Sequence, residues 1–184
     1  MPSNTRRIAI ASLFGVLIFL IQGFIPPPNS DFLIVFQAFF LVLSFLVVSP
    51  LGATYVGVVS GLLISVAKPA YFPLDLVFAT LFGFSIDILG TALRARKGYD
   101  ARVGRLVVAS TIATSLVGFL AYYITAVLTH IVPNDVGLDL TVLIFGVFSG
   151  AVGGYAAGKF WNRNLRSRFS PVTYDKEKAE SQRI

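Results

Sequence analysis

Side chains able to do chemistry are few in this 184-residue chain, and they gather at particular places. Gln22 and Gln37, Lys68, Tyr71 and Asp75, Tyr122, Tyr123, Thr129 and His130, and Asn134, Asp135 and Asp139 all stand at the ends of long apolar runs. Aromatic faces with a few convergent amides, an ammonium and carboxylates are the makings of a pocket for a small polar molecule. Tyr71, Tyr122 and Tyr123 would suit stacking on a heterocycle, while Lys68 and the loop acids would meet either sign of charge. The same residues also fit an interfacial belt of tyrosines with solvated loop acids. His130 is the single histidine and cysteine is absent, so no metal site and no cofactor is expected.

Asp87 is the one ionisable residue deep inside an apolar run, where burial costs on the order of 3 kcal/mol. Helical spacing places it on a face with Thr80, Gly83, Thr91 and Arg94. One reading is a relay for protons or ions. The other is an acid paired with an inner basic residue such as Arg94, or sitting near water at the inner end. The stretch Gly153-Gly154-Tyr155-Ala156-Ala157-Gly158-Lys159-Phe160 approaches a phosphate-binding loop, but Phe160 replaces the Ser or Thr that would hold magnesium, and no strand precedes it. Paired intramembrane acids, a histidine-based metal site and a serine with a base are all missing, so an enzyme is not expected.

These residues depend on the elements that carry them. The chain is 55% hydrophobic and 13% charged, with mean hydropathy +0.78, which describes an all-α integral membrane protein. Apolar runs predict six spans at about residues 8–25, 32–48, 53–67, 74–93, 106–129 and 140–161. The 36 uncharged residues from Phe32 to Ala67 would run about 54 Å as one helix, against a hydrocarbon core of roughly 30 Å, so they must fold back at Ser49-Pro50-Leu51-Gly52. The first run, preceded by Arg6 and Arg7, ends in Pro26-Pro27-Pro28 without a small-x-small cleavage site and reads as a retained span. Along the last, Gly146, Gly150, Gly154 and Gly158 recur every four residues, a row that fits either tight packing or a sliding interface.

With six spans, fourteen of the fifteen Lys and Arg residues share the side of the N-terminus, and only Lys68 lies opposite. Basic loops stay in the cytoplasm, so both termini are expected inside, in a multi-pass protein of a prokaryotic plasma membrane. Residues 1–165 would form one bundle with short loops and residues 166–184 a charged cytoplasmic tail. The net charge of +6 sits beside apolar spans, which points to anionic lipids and not to nucleic acid.

In size, span number and loop placement, the whole chain resembles the substrate-binding S component of energy-coupling factor (ECF) transporters. The opening Arg6-Arg7-Ile8-Ala9-Ile10-Ala11-Ser12-Leu13-Phe14-Gly15 is similar to that family's basic start followed by small residues four apart. The resemblance implies that Ala11 and Gly15 contact a coupling subunit, although Gly stands where Ala is typical. It further implies capture of a vitamin-like, heterocyclic molecule near the outer face, capped by the loops after spans one and three. Candidate binding residues are then Gln37, Lys68, Tyr71, Asp75, Tyr122, Tyr123, His130, Asn134 and Asp139. The implied partners are a transmembrane T component and two cytoplasmic ATPases. The missing amino-terminal histidine extension argues against nickel and cobalt as substrates. A structural scaffold resembling the cell-shape component MreD is the competing expectation, and an apolar bundle centre without a ligand pocket would favour it.

Overall fold

The computed structural model describes residues 4–24, 33–48, 51–69, 72–125 and 136–169, and the side chains of residues 4, 6, 7, 136–139 and 168 are outside that description. Six helices make the body: α1 (Asn4–Gly23), α2 (Ile34–Val47), α3 (Gly52–Ala67), α4 (Leu74–Ala92), α5 (Val103–Tyr123) and α6 (Val136–Phe160). Between α4 and α5 lies a small antiparallel hairpin, β1 (Arg96–Lys97) and β2 (Asp100–Ala101). After α6 the chain widens into a π turn, Trp161–Leu165, and closes with a single-turn helix α7, Arg166–Phe169.

Leu74–Ala92, Val103–Tyr123 and Leu140–Leu165 are long and apolar enough to cross a membrane. The stretches Ile8–Gly23, Ile34–Val47 and Gly52–Ala67 are apolar but shorter. Rows of large apolar side chains, such as Leu116, Ile144, Phe148 and Leu62, face outward, as a hydrocarbon surrounding favours and water does not. The chain is a helical membrane protein.

Helix α2 occupies the centre. Its residues Leu41 to Val47 are buried without a break, and it touches each of the other five long helices. An all-round apolar helix is stable only where neighbours cover every face. Contacts between the others fix their directions. Gly146, Gly150, Gly154 and Gly158 of α6 meet Ser115, Ser110 with Thr111, Leu106 with Val107, and Val103 of α5, so the two run antiparallel. Likewise Gly57, Gly61 and Gly83 pair α3 and α4 antiparallel, while Gly15 against Val59 and Ser12 against Tyr55 run α1 and α3 parallel. One end of the bundle therefore holds the starts of α1, α3 and α5, the ends of α2, α4 and α6, and the hairpin with its basic residues. It is called the basic end below.

Two expectations shift. Helix α5 begins at Val103, three residues before the expected Leu106, and the segment expected as a plain loop contains the hairpin. The helical path also passes the boundary expected at residue 165, because Phe169 folds back and stacks on Trp161 at a centroid separation of 5.6 Å. The parts of the expected spans at residues 25, 32 and 126–129, and the tail from 170, lie outside the described residues.

Ala11 and Gly15 lie on the inner side of α1. Both are buried, and a Cβ built at Gly15 would stand 2.7 Å from Val59 Cγ1. The missing side chain of Gly15 lets α1 approach α3 within the chain, and Ile8, Leu13, Val16 and Leu20 form the outward face of α1. Within the chain, Gly15 serves the packing of α1 on α3.

Candidate functional site

At the end opposite the basic one, α1 and α3 stop and α2 and α4 begin. Lys68 is the C-cap residue of α3, and its ammonium donates to the Gln22 carbonyl oxygen at 2.9 Å. That carbonyl belongs to the last turn of α1, whose carbonyls have no partner within the helix. The Gln22 amide Nε2 donates in turn to Gln37 Oε1 at 2.9 Å, joining the end of α1 to the start of α2. Asp75 lies in the first turn of α4, half-buried, where the helix dipole favours an acid and the charge of Lys68 reaches it. Four separate helices thus deliver Gln22, Gln37, Lys68 and Asp75 to one polar cluster.

Ser65, which sequence reasoning missed, points to the same end. Its hydroxyl is buried with no hydrogen-bond partner among the described residues. It sits one helical turn beyond Gly61, whose built Cβ would meet the Asp75 carbonyl oxygen and Leu76. A serine within an apolar helix gives no sequence signal, because such hydroxyls commonly bond back to their own helix. It shares the missing bond with Ser115 of α5, and differs in standing one turn before Lys68, at the end of α3 that carries the cluster.

The other expected binding residues divide. Tyr122 is half-buried near the end of α5, whereas Tyr123 continues the exposed row of Leu116, Phe119 and Leu120. Tyr71, His130 and Asn134 lie outside the described residues, and for Asp139 only the backbone, in the first turns of α6, is described.

Asp87 has a different surrounding from either expectation. It is 3% exposed and accepts from Thr54 N at 2.7 Å, from Thr54 Oγ1 at 2.7 Å and from Ala53 N at 3.2 Å. Ala53 and Thr54 open α3, whose own N-cap residue, Leu51, has no side chain able to cap. Asp87 therefore performs from α4 the task that an N-cap Asp performs within one chain segment, and the positive end of α3 offsets the cost of burying its charge. The expected pairing with Arg94, or placement near water, is corrected accordingly. Arg94 meets no carboxylate among the described residues, since the one ion pair there joins Arg166 to Asp100 at 2.7 Å.

The basic end is rigidly built. Arg96 donates to the Leu46 carbonyl oxygen at 2.9 Å and Arg105 to that of Leu93 at 2.9 Å, so cations from outside cap the C-termini of α2 and α4. From the π turn, Trp161 Nε1 donates to the Tyr99 carbonyl oxygen at 2.9 Å. Asn162 accepts from Ala101 N at 3.0 Å and donates to its carbonyl oxygen at 2.8 Å, closing the free edge of β2. The wider turn aims these side chains at the hairpin.

Compared with protein families, with characterised proteins and with solved structures, the chain has no match. The site must be read from its own groups. Among the described residues no three His, Cys, Asp or Glu side chains stand close enough to share a metal ion. The polar cluster offers amides, one ammonium, one carboxylate and an unused hydroxyl, which bind by hydrogen bonding and charge. Among the described residues it holds no nucleophile hydrogen-bonded to a base.

Proposed function

We propose that the chain is the membrane-embedded capture subunit of an ECF-type importer, which binds a small vitamin-like molecule at the end opposite its basic residues. The observation that carries this reading is the convergence of Gln22, Gln37, Lys68 and Asp75, from four helices, beside the unpartnered hydroxyl of Ser65. A buried polar group without a partner costs about 1–3 kcal/mol, a cost that a bound ligand would remove. In this reading all six long helices cross the membrane with both termini in the cytoplasm. Helices α2 and α3, about 21 and 24 Å long, fall short of the hydrocarbon core, but α2 is enclosed by the other five and its length need not match the lipid. A transmembrane T component and two cytoplasmic ATPases would supply the energy.

The scaffold reading keeps one supporting observation. The centre of the bundle, around Leu41, Val42, Leu46 and Val56, is apolar and closely filled. One experiment separates the two. The protein is purified in mild detergent, any bound small molecule is released for mass spectrometry, and water-soluble vitamins are screened for thermal stabilisation. Capture predicts one co-purifying or stabilising compound, whose effect falls at least tenfold in affinity in Gln37→Ala, on the basis of about 1.4 kcal/mol for a lost polar contact. A protein that carries no such compound, responds to none and binds no coupling subunit is a scaffold.

A further inference from the structure

At the basic end, Arg94, Arg96, Lys97, Arg102 and Arg105 surround a concavity of about 540 Å³ floored by Phe45 and Gly90. No carboxylate lines it. The acid of the hairpin itself, Asp100, is taken by Arg166 of α7. Like charges gathered in one hollow repel each other unless an anion joins them.

The hollow is fixed before any ligand arrives. Arg96 is anchored to Leu46 and to the Gly98 carbonyl oxygen at 2.8 Å, Arg105 to Leu93, and the hairpin is clamped by Trp161 and Asn162. By contrast the side chains of Arg94, Lys97 and Arg102 donate to no protein acceptor among the described residues. Arg94 holds a left-handed backbone, φ 48°, in the turn that ends α4, where glycine is the usual residue. Ala95 N bonds to the Gly90 carbonyl oxygen at 2.8 Å and Arg94 N to that of Thr91 at 2.9 Å, a complete helix-stop motif. An arginine there accepts a backbone strain that glycine would avoid, and it places a guanidinium on the rim. The start of α5 adds to the field, having neither an acid in its first turn nor a side-chain cap.

We propose that this hollow is a phosphate-binding site, and that the phosphate is the headgroup of an anionic membrane lipid. Arginine forks and an ammonium match phosphate oxygens in geometry and charge. The source follows from position. The hollow opens where two helices long enough to cross the membrane, α4 and α5, meet at the hairpin, the level at which headgroups lie. Its aromatic and glycine floor suits the glycerol and upper acyl carbons better than a free ion.

The test uses the full-length protein in neutral detergent, with binding and thermal midpoint followed against short-chain phosphatidic acid, phosphatidylcholine of the same chain length, and inorganic phosphate. Phosphatidic acid should bind and raise the midpoint, with phosphatidylcholine and inorganic phosphate far weaker. The double variant Lys97→Gln, Arg102→Gln should bind phosphatidic acid on the order of twenty-fold more weakly, at about fivefold per cation removed. The charge-keeping pair Lys97→Arg, Arg102→Lys should bind nearly as the parent does, which separates loss of charge from loss of fold. A third pair, Lys159→Gln with Arg163→Gln, removes the same charge from residues outside the hollow and should leave binding unchanged. Equal weakening by the two charge-removing pairs would mean diffuse attraction and overturn the site. Inorganic phosphate acting as strongly as the lipid would overturn the lipid source, and no response to any phosphate would overturn the proposal altogether.

Discussion

Two helix pairs, α3 with α4 and α5 with α6, are built on the same plan and fastened by opposite chemistry. In each, glycines let antiparallel backbones meet: Gly57 and Gly83 face the carbonyls of Ala79 and Ala53, and Gly150 faces Ser110 and Thr111. The α3–α4 pair is fastened by a carboxylate, Asp87, that accepts three hydrogen bonds. A hydroxyl fastens the other, Ser110, which donates to the Gly150 carbonyl oxygen. Position along the helix explains the difference. Asp87 meets the first turn of α3, where amides lack partners and only an acceptor helps. Ser110 meets the middle of α6, where every amide is used and only the second lone pair of a carbonyl remains, so a donor is required.

The largest break in this comparison should come from Asp87→Ala, which strands two amides and a hydroxyl in the seam between α3 and α4. We expect a loss of roughly 3 kcal/mol or more, read as a fall in the thermal midpoint in detergent. Next in size are Gly57→Val and Gly150→Val, each placing a side chain against backbone that cannot yield. Both should cost about 2 kcal/mol, and a large difference between them would show that the two seams are not equally tight. Asp87→Asn keeps one acceptor but brings an amide donor to face donors, for a loss of about 1.5 kcal/mol by the same assay. The smallest effect belongs to Ser110→Ala, about 1 kcal/mol, because the Gly150 carbonyl keeps its helix partner. If Ser110→Ala proved as damaging as Asp87→Ala, the contrast between the two fasteners would be wrong.

Some of this was legible in the residues. The glycine row on α6 announced a close helix contact by its spacing of four, and α5 supplies the other face. The intramembrane position of Asp87 announced that something must offset its charge, but not what. Its partners are main-chain amides 33 and 34 positions away, and main-chain amides carry no residue-type signal. Ala11 and Gly15 show the converse risk. Small residues four apart mark a close approach, yet the spacing does not say whether the neighbour is another protein or α3 of the same chain. Lys68 stood out as the lone cation at its end, and the structure adds its bond to the end of α1.

By itself the sequence determined that this is a helical membrane protein, where its helices lie within a few residues, and that its cations gather at one end. These follow from local hydropathy, chain breaks and charge, quantities summed over neighbouring residues. Only the tertiary structure decided that α2 is the enclosed centre, that Asp87 caps α3, and that the hairpin and five cations form one hollow. Each of those depends on groups far apart in the chain, brought together because buried donors, acceptors and close backbones must find partners that no local pattern encodes.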